Sequence, residues 1–237
     1  MTASNHKRWS KTALWLAVIT CVSIGSSCPS EVRGQLRPWP EADQLFRGAE
    51  RWHGADGAYS VDLGTGRVLW LFGDSFVGPV DEPETRSGSR MVSNSVAIQL
   101  GYDPTTASIV FYYDDSGDEP GAFCPDESDL RLWPGPAARI ARADGPSALL
   151  LTFVLVRSVD EGLGFEIAGS RARLVENPED EPPNWRQQDL ELPEHGLGIQ
   201  LGAGALFVDE AWLHSFSPIE PGSHDIYLAR WRIDDVA

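Results

Sequence analysis

The stretch Trp52–Phe76, WHGADGAYSVDLGTGRVLWLFGDSF, carries an acid at each end of an apolar strand–turn–strand pattern, Asp56 and Asp74. Gly64-Thr65-Gly66 is its strongest turn signal. If the chain doubles back at Thr65, residues equidistant from it face one another across an antiparallel pair. Asp56 then opposes Asp74, Ala58 opposes Phe72, Ser60 opposes Trp70 and Asp62 opposes Val68. Opposed side chains share a face, with Cβ atoms about 5 Å apart. Tyr59, Val61 and Leu63 point the other way, and the two carboxylates meet at the open end of the hairpin.

Strand patterns continue along most of the chain. NSVAIQLGY and SIVFYYDD follow the hairpin, and a turn-rich stretch from Ser116 to Pro136 then holds Gly117, Pro120, Gly121, Pro125, Pro134 and Pro136. ALLLTFVLVRS, GFEIAGSRARLVE and WRQQDLEL resume the strands, and LGAGALFVD, AWLHSFSPI and HDIYLARWRID form a third set. β-branched and aromatic residues between Gly, Pro and Asp clusters point to an all-β fold. A helical turn near Glu41–Phe46 is the exception. Strong apolar strands beginning at Arg67, Leu149 and Ala211 each stand second in a set. This suggests about three repeats of a four-stranded sheet, the unit of a β-propeller. A two-sheet sandwich with Greek-key links is the competing arrangement. Propellers close with about four to eight blades, so three would make an incomplete propeller and this sequence a fragment. The outer face of the third set, Ala205, Phe207, Trp212, Leu213, Phe216, Ile226, Leu228 and Trp231, is then expected to be partly exposed and prone to self-association.

The N-terminus reads as an export signal over residues 1–27. Lys7, Arg8 and Lys11 precede the apolar run TALWLAVITCVSIG, and the small residues GSSC follow. A single-pass anchor is the alternative. Cleavage near Ser27 would leave Cys28 first, where a lipid could be attached, although Gly25-Ser26-Ser27 fits a lipobox poorly. Residues 28–50 read as a linker and lead-in, and 51–237 as the β domain. The formal charge is −16, and loss of the three leader cations takes it to −19. So acidic a chain excludes non-specific nucleic-acid or anionic-membrane binding, beyond that one N-terminal lipid, and is compatible with a neutral glycan. The cysteines, Cys21, Cys28 and Cys124, build no metal constellation. At most Cys28 pairs with Cys124. No P-loop, dinucleotide fingerprint or Ser-nucleophile motif occurs, so no cofactor is expected.

The segments GADGAYSVDL…GRVLWLFGDSFVG, MVSNSVAIQ, GFEIAGSRARLVENP and GSHDIYLARW carry a family resemblance. They resemble the secreted bacterial five-bladed β-propellers catalogued as a domain of unknown function of the 4185 type. In plan they are also similar to the arabinanase and fructosidase propellers of the glycoside hydrolases. The resemblance spans roughly Trp52 to Trp231 and is most specific in the opening hairpin. It implies a glycan-facing propeller, some relatives cleaving D-arabinofuranan, with acids gathered at the mouth of a central channel. The C-terminal half of such a propeller has no counterpart here, which bears on catalysis by this chain.

Glycoside hydrolysis uses two carboxyl groups, ~5 Å apart in retaining enzymes and ~6.5–9.5 Å apart in inverting ones. An opposed Asp56–Asp74 pair falls near the shorter distance, and two like charges so close raise one pKa, as a general acid requires. The competing reading makes both residues turn formers that bond their own backbone. Glu166 is a candidate acid partner, and Arg157 stands at the matching strand end, where it could orient a carboxylate or a sugar. Asn94 and His224, the latter beside Asp225, are candidate sugar-binding residues with capping as the plainer role. His53 and His195 lie in loops, and no metal site is read from any of these. Trp52 and Trp133, in loops before strands, are the candidate stacking platforms. Three functions follow: a propeller hydrolase of furanose-containing polysaccharide, a non-catalytic glycan- or surface-binding module, or an inactive truncated fragment. Release of reducing ends separates the first from the others.

Overall fold

The computed structural model describes residues 37–79, 86–142, 145–193, 196–209 and 211–236. The export signal, Cys28 and His195 lie outside these. A compact unit begins at Trp39, so part of the segment read as lead-in belongs to the folded domain. Helix α1 (Pro40–Arg47) buries Leu45 and sets Phe46 edge-on to Trp70, with ring centroids 5.0 Å apart.

The fold is all-β and antiparallel. β1 (Trp52–Ala55), β4 (Ser75–Val77) and β5 (Arg90–Val92) form a small sheet in the order β1-β4-β5. The first main sheet joins β2 (Tyr59–Gly64), β3 (Arg67–Phe72), β6 (Ser95–Leu100) and β7 (Ser108–Tyr112) in chain order. The second does the same with β8 (Leu130–Ile140), β9 (Ala148–Ser158), β10 (Phe165–Val175) and β11 (Gln187–Leu190). The third comprises β12 (Ala205–Val208), β13 (Trp212–Pro218) and β14 (Ile226–Arg232). The three strands expected to stand second in their sets, now β3, β9 and β13, do so. No sheet closes on itself among the described residues.

The opening hairpin has the expected register: Ser60 pairs with Trp70, Val61 with Leu69 and Asp62 with Val68. The turn is centred one half-residue later than Thr65. Thr65 and Gly66 both have positive φ, 54° and 80°, as a two-residue primed turn requires. A register shift between Asp62 and Gly64 absorbs the difference, and Gly64 pairs with Arg67.

Alternation then assigns the faces. Val61, Leu63, Leu69, Leu71, Val96 and Ile98 pack against Leu132, Leu149, Leu151, Phe153 and Leu155 of the second sheet. Trp52, Phe72, Val77, Val92 and Ala97 form a separate core on the first sheet's other side, joined there by Phe46 and Trp70. Ala148, Leu150, Ala172 and Leu174 face Leu213 and Ile233 on the third-sheet side. β9 is thus buried on both faces, which is why it reads as an unbroken apolar run.

Strand β8 corrects the sequence reading. The turn-rich stretch Ser116–Pro136 reads as a loop, yet its last seven residues open an eleven-residue strand, LRLWPGPAARI. Among the described residues it pairs on one side only, with β9, and its register slips by one residue between Pro134 and Ala137. Proline is tolerated at such an edge and bulge, where no ladder N–H is required. The slip also switches parity, so Leu132 faces one core and Ala138 the other. Cys124 lies in the connection after β7, yet it is a free, buried core residue.

On the third sheet's outer face Phe207, Phe216, Ile226 and Leu228 are 46%, 38%, 61% and 62% exposed, as expected, whereas Leu213 is buried and Trp212 and Trp231 are half-buried. Two outcomes follow. Thr65→Asn, which tolerates positive φ better than a β-branched residue, raises unfolding free energy by roughly 0.5–1 kcal/mol in a urea melt. Phe216→Ser with Leu228→Ser reduces concentration-dependent association in sedimentation velocity; unchanged association would locate the sticky surface elsewhere.

Candidate functional site

The hairpin's open end carries the expected acids. Asp56 N–H donates to the Asp74 carbonyl at 2.8 Å, and the Asp56 carbonyl accepts Gly73 N–H at 2.8 Å. Asp56 therefore faces both Gly73 and Asp74, a two-to-one pairing of bulge type. In an antiparallel meander the ends of the second strand and the starts of the first and third lie at one end of the sheet. Asp74, Arg157 and Glu166 occupy that end of the first and second sheets, and Trp133 at the start of β8 links the two there.

Trp133 is not a free stacking platform. Its indole Nε1–H donates to Asp74 Oδ1 at 3.0 Å, and its ring packs edge-on to Phe165 with centroids 4.8 Å apart. Asp74 is half-buried, and burial pushes its carboxyl pKa up. The Trp133 hydrogen bond and the Arg131 charge act the other way, while the charges of Asp56 and Asp126 reinforce the rise. Asp56 itself is exposed, and its carboxylate accepts the Gly57 N–H at 2.8 Å, the local turn bond of the competing reading.

The other candidates separate by how fully they are engaged. Arg157 donates to Asp129 at 2.7 Å and to Glu166 at 3.3 Å, so the sequence-flagged Arg157 and Glu166 form one exposed ion-pair cluster. His224, at positive φ, pairs with Glu220 at 2.6 Å on the corresponding loop of the third sheet. His53 Nε2 is 2.8 Å from the Gly78 carbonyl.

Asn94 and Trp52 are corrected from sugar binding to structure. Asn94 is fully buried. Its Nδ2 donates to the Cys124 and Leu132 carbonyls at 2.9 and 3.0 Å, and its Oδ1 accepts Cys124 N–H at 2.7 Å, leaving nothing for a ligand. Trp52 is buried, stacked on Phe111 at 4.1 Å, with Nε1–H bonded to Ser95 Oγ at 3.0 Å.

Sequence reasoning missed Asp126, Ser93 and Arg131. They line a cleft of about 220 Å³ together with Asp74 and Arg90. Buried Ser93 donates its hydroxyl to Asp126 Oδ1. No spacing rule reaches from Asp74 to Asp126, because the β4–β5 excursion and β6–β7 intervene. A second cavity, of about 130 Å³, lies between the second and third sheets and is lined mainly by apolar side chains such as Leu150, Leu206 and Trp231. The Thr152 hydroxyl in that lining is already bonded to the Pro136 and Gly202 carbonyls. Among the described residues no group of His, Cys, Asp and Glu is placed to hold a metal, and no helix is long and apolar enough to cross a membrane.

A family model, Domain of unknown function (DUF5005), matches residues 41–197. The chain belongs to that family. A domain of unknown function was what the motifs implied; the 4185 type is not supported by this match. The structure is similar to a protein of Bacteroides ovatus ATCC 8483 whose crystal structure is described as that of a "putative hydrolase", with TM-score 0.60, 18% identity and 81% of this chain covered. The chain spans about half, 51%, of that structure's length. This likeness shows the fold. No curated protein matches the sequence.

The Asn94 contacts generate a prediction. Asn94→Ala strips partners from buried backbone groups and lowers stability by on the order of 3 kcal/mol. Burial pushes the Cys124 thiol up to about 11, so it is inert in the native protein. In Asn94→Ala it reacts measurably faster with a thiol reagent at neutral pH; equal rates would show that the clamp does not hold that loop.

Proposed function

We propose that this chain forms part of an exported, propeller-type hydrolase of furanose-containing polysaccharide, with Asp74 as the proton donor. The observation that carries the reading is the Asp74 environment: a half-buried carboxyl of raised pKa, held by Trp133 and facing a cleft. A general acid must stay protonated near working pH, and partial burial among other acids favours this. The Trp133 N–H fixes one carboxyl oxygen, leaving the other to carry the proton to the leaving glycosidic oxygen. Asp56, set against Asp74 by the hairpin, adds charge that keeps the proton on. Three successive meanders, of four, four and three strands, support the propeller plan. The leader over residues 1–27 supports export to the cell envelope, with Cys28 as the candidate lipid site.

A second reading, a non-catalytic glycan-binding module, is favoured by one observation: the Asp56, Arg157 and Glu166 side chains are already engaged locally. The test is a polysaccharide panel scored for reducing ends. Binding without release supports the module.

Asp74→Asn gives a paired signature. Turnover falls by ~100-fold or more, as removal of a general acid requires. Stability moves the other way. Because the folded-state pKa of Asp74 lies above its unfolded value near 3.8, ionising it disfavours the native state as pH rises through that interval. Asp74→Asn therefore has the higher Tm at pH 7, and the difference shrinks below about pH 4. A lower Tm at pH 7 would show that Asp74 is structural and not held for chemistry.

A further inference from the structure

We infer that Asp126, rather than Asp56, is the second catalytic carboxylate, acting as the base across the cleft from Asp74. This rests on the hydrolase reading above and names a residue for it. Asp74 and Asp126 are the two carboxylates that line the 220 Å³ cleft. Asp56 does not line it, and its carboxylate is bonded to Gly57 N–H. Asp126 is positioned from below by a buried hydroxyl, Ser93 Oγ, while the carboxylate itself is exposed to the cleft.

A neighbouring cleft of about 320 Å³ shares two residues with the first, Asp126 and Arg131, and continues past Asp129 to Arg157. Asp126 thus stands where two sugar-sized spaces meet, the place a scissile bond must occupy if adjoining residues of a glycan fill both. Arg131 stands there too, half-buried: its backbone pairs with Val156 and its charge acts on Asp74, while its guanidinium makes no side-chain hydrogen bond or ion pair among the described residues, so its donors are available to ligand oxygens. In the step, the glycosidic C–O bond breaks as Asp74 gives its proton to the departing oxygen. A water forms the new C–O bond at the anomeric carbon and loses its proton to Asp126. Proton exchange with solvent then returns both carboxyls to their starting states.

The experiment compares Asp126→Asn, Asp74→Asn and Asp103→Asn on arabinan oligosaccharides and on a para-nitrophenyl arabinofuranoside. The nitrophenolate leaves without a proton, so Asp74→Asn keeps much of its rate on the aryl glycoside while Asp126→Asn loses ~100-fold or more on both substrates, with KM within a few-fold. Asp103, an exposed acid in the turn between β6 and β7 that lines neither cleft, leaves kcat near wild type when replaced. Wild-type kcat in Asp126→Asn overturns the assignment.

An independent readout is the pH titration of the Trp133 indole N–H resonance, which reports Asp74 ionisation through their hydrogen bond. Its midpoint falls in Asp126→Asn and stays put in Asp103→Asn. If the wild type hydrolyses neither substrate, the hydrolase reading fails on its own. The titration then decides the pairing, and an unmoved midpoint overturns it.

Discussion

The buried amide of Asn94 ties together the parts on which the candidate site depends. It precedes β6 in the first sheet, yet it binds the backbone at Cys124 and at Leu132. Those contacts fasten the long connection after β7 and the start of β8 to the first sheet. Asp126 sits in that connection two residues past Cys124, and Trp133 follows Leu132. Both reach the neighbourhood of Asp74 because the connection is held. A polar group buried this deeply persists only when its bonds are made, and here they are made across 30 and 38 residues of chain.

Burial, more than proximity of charge, then distinguishes the acids. Asp74 is half-buried and its pKa rises. Asp129 is exposed and bonded to Arg157, which holds its carboxyl below the usual range. Glu127 and Asp189 are engaged by Arg171 and Arg173 in a further network. The strongly acidic chain thus neutralises several of its carboxylates with arginine and leaves Asp74 in a drier place with an indole partner. Divergent environments for neighbouring carboxyls are what acid–base chemistry requires, whereas a uniformly solvated acidic rim would not supply them.

The same layering sets the mechanical limits of the fold. The second sheet is covered on both sides and forms its centre. The first sheet is capped by α1 and the small sheet through Trp52, Phe46 and Trp70. Among the described residues, the third sheet is covered on one face only. Its buried Ser215 and Ser217 bond Gly202 N–H, so the inner face is closed by specific polar contacts as well as by Leu213. Its outer face keeps apolar side chains in water.

Much of this was legible from local pattern. The all-β class, the hairpin register around Thr65, and the second-strand positions of β3, β9 and β13 follow from period-two alternation and turn chemistry, which act over a few residues. Strand β8 was not legible, because two prolines and a parity switch mask alternation, and only pairing with β9 and the bulge make the strand possible. The roles of Asn94, Trp52 and Trp133 were not legible either: amides and indoles bind sugars or backbone equally well, and burial decides which. Sequence alone determined that Asp56 and Asp74 would meet, since one turn controls both. Only the tertiary structure decided that Asp126 joins Asp74 in a cleft, because that contact is carried by a buried amide and a second sheet, and no periodicity spans such a distance.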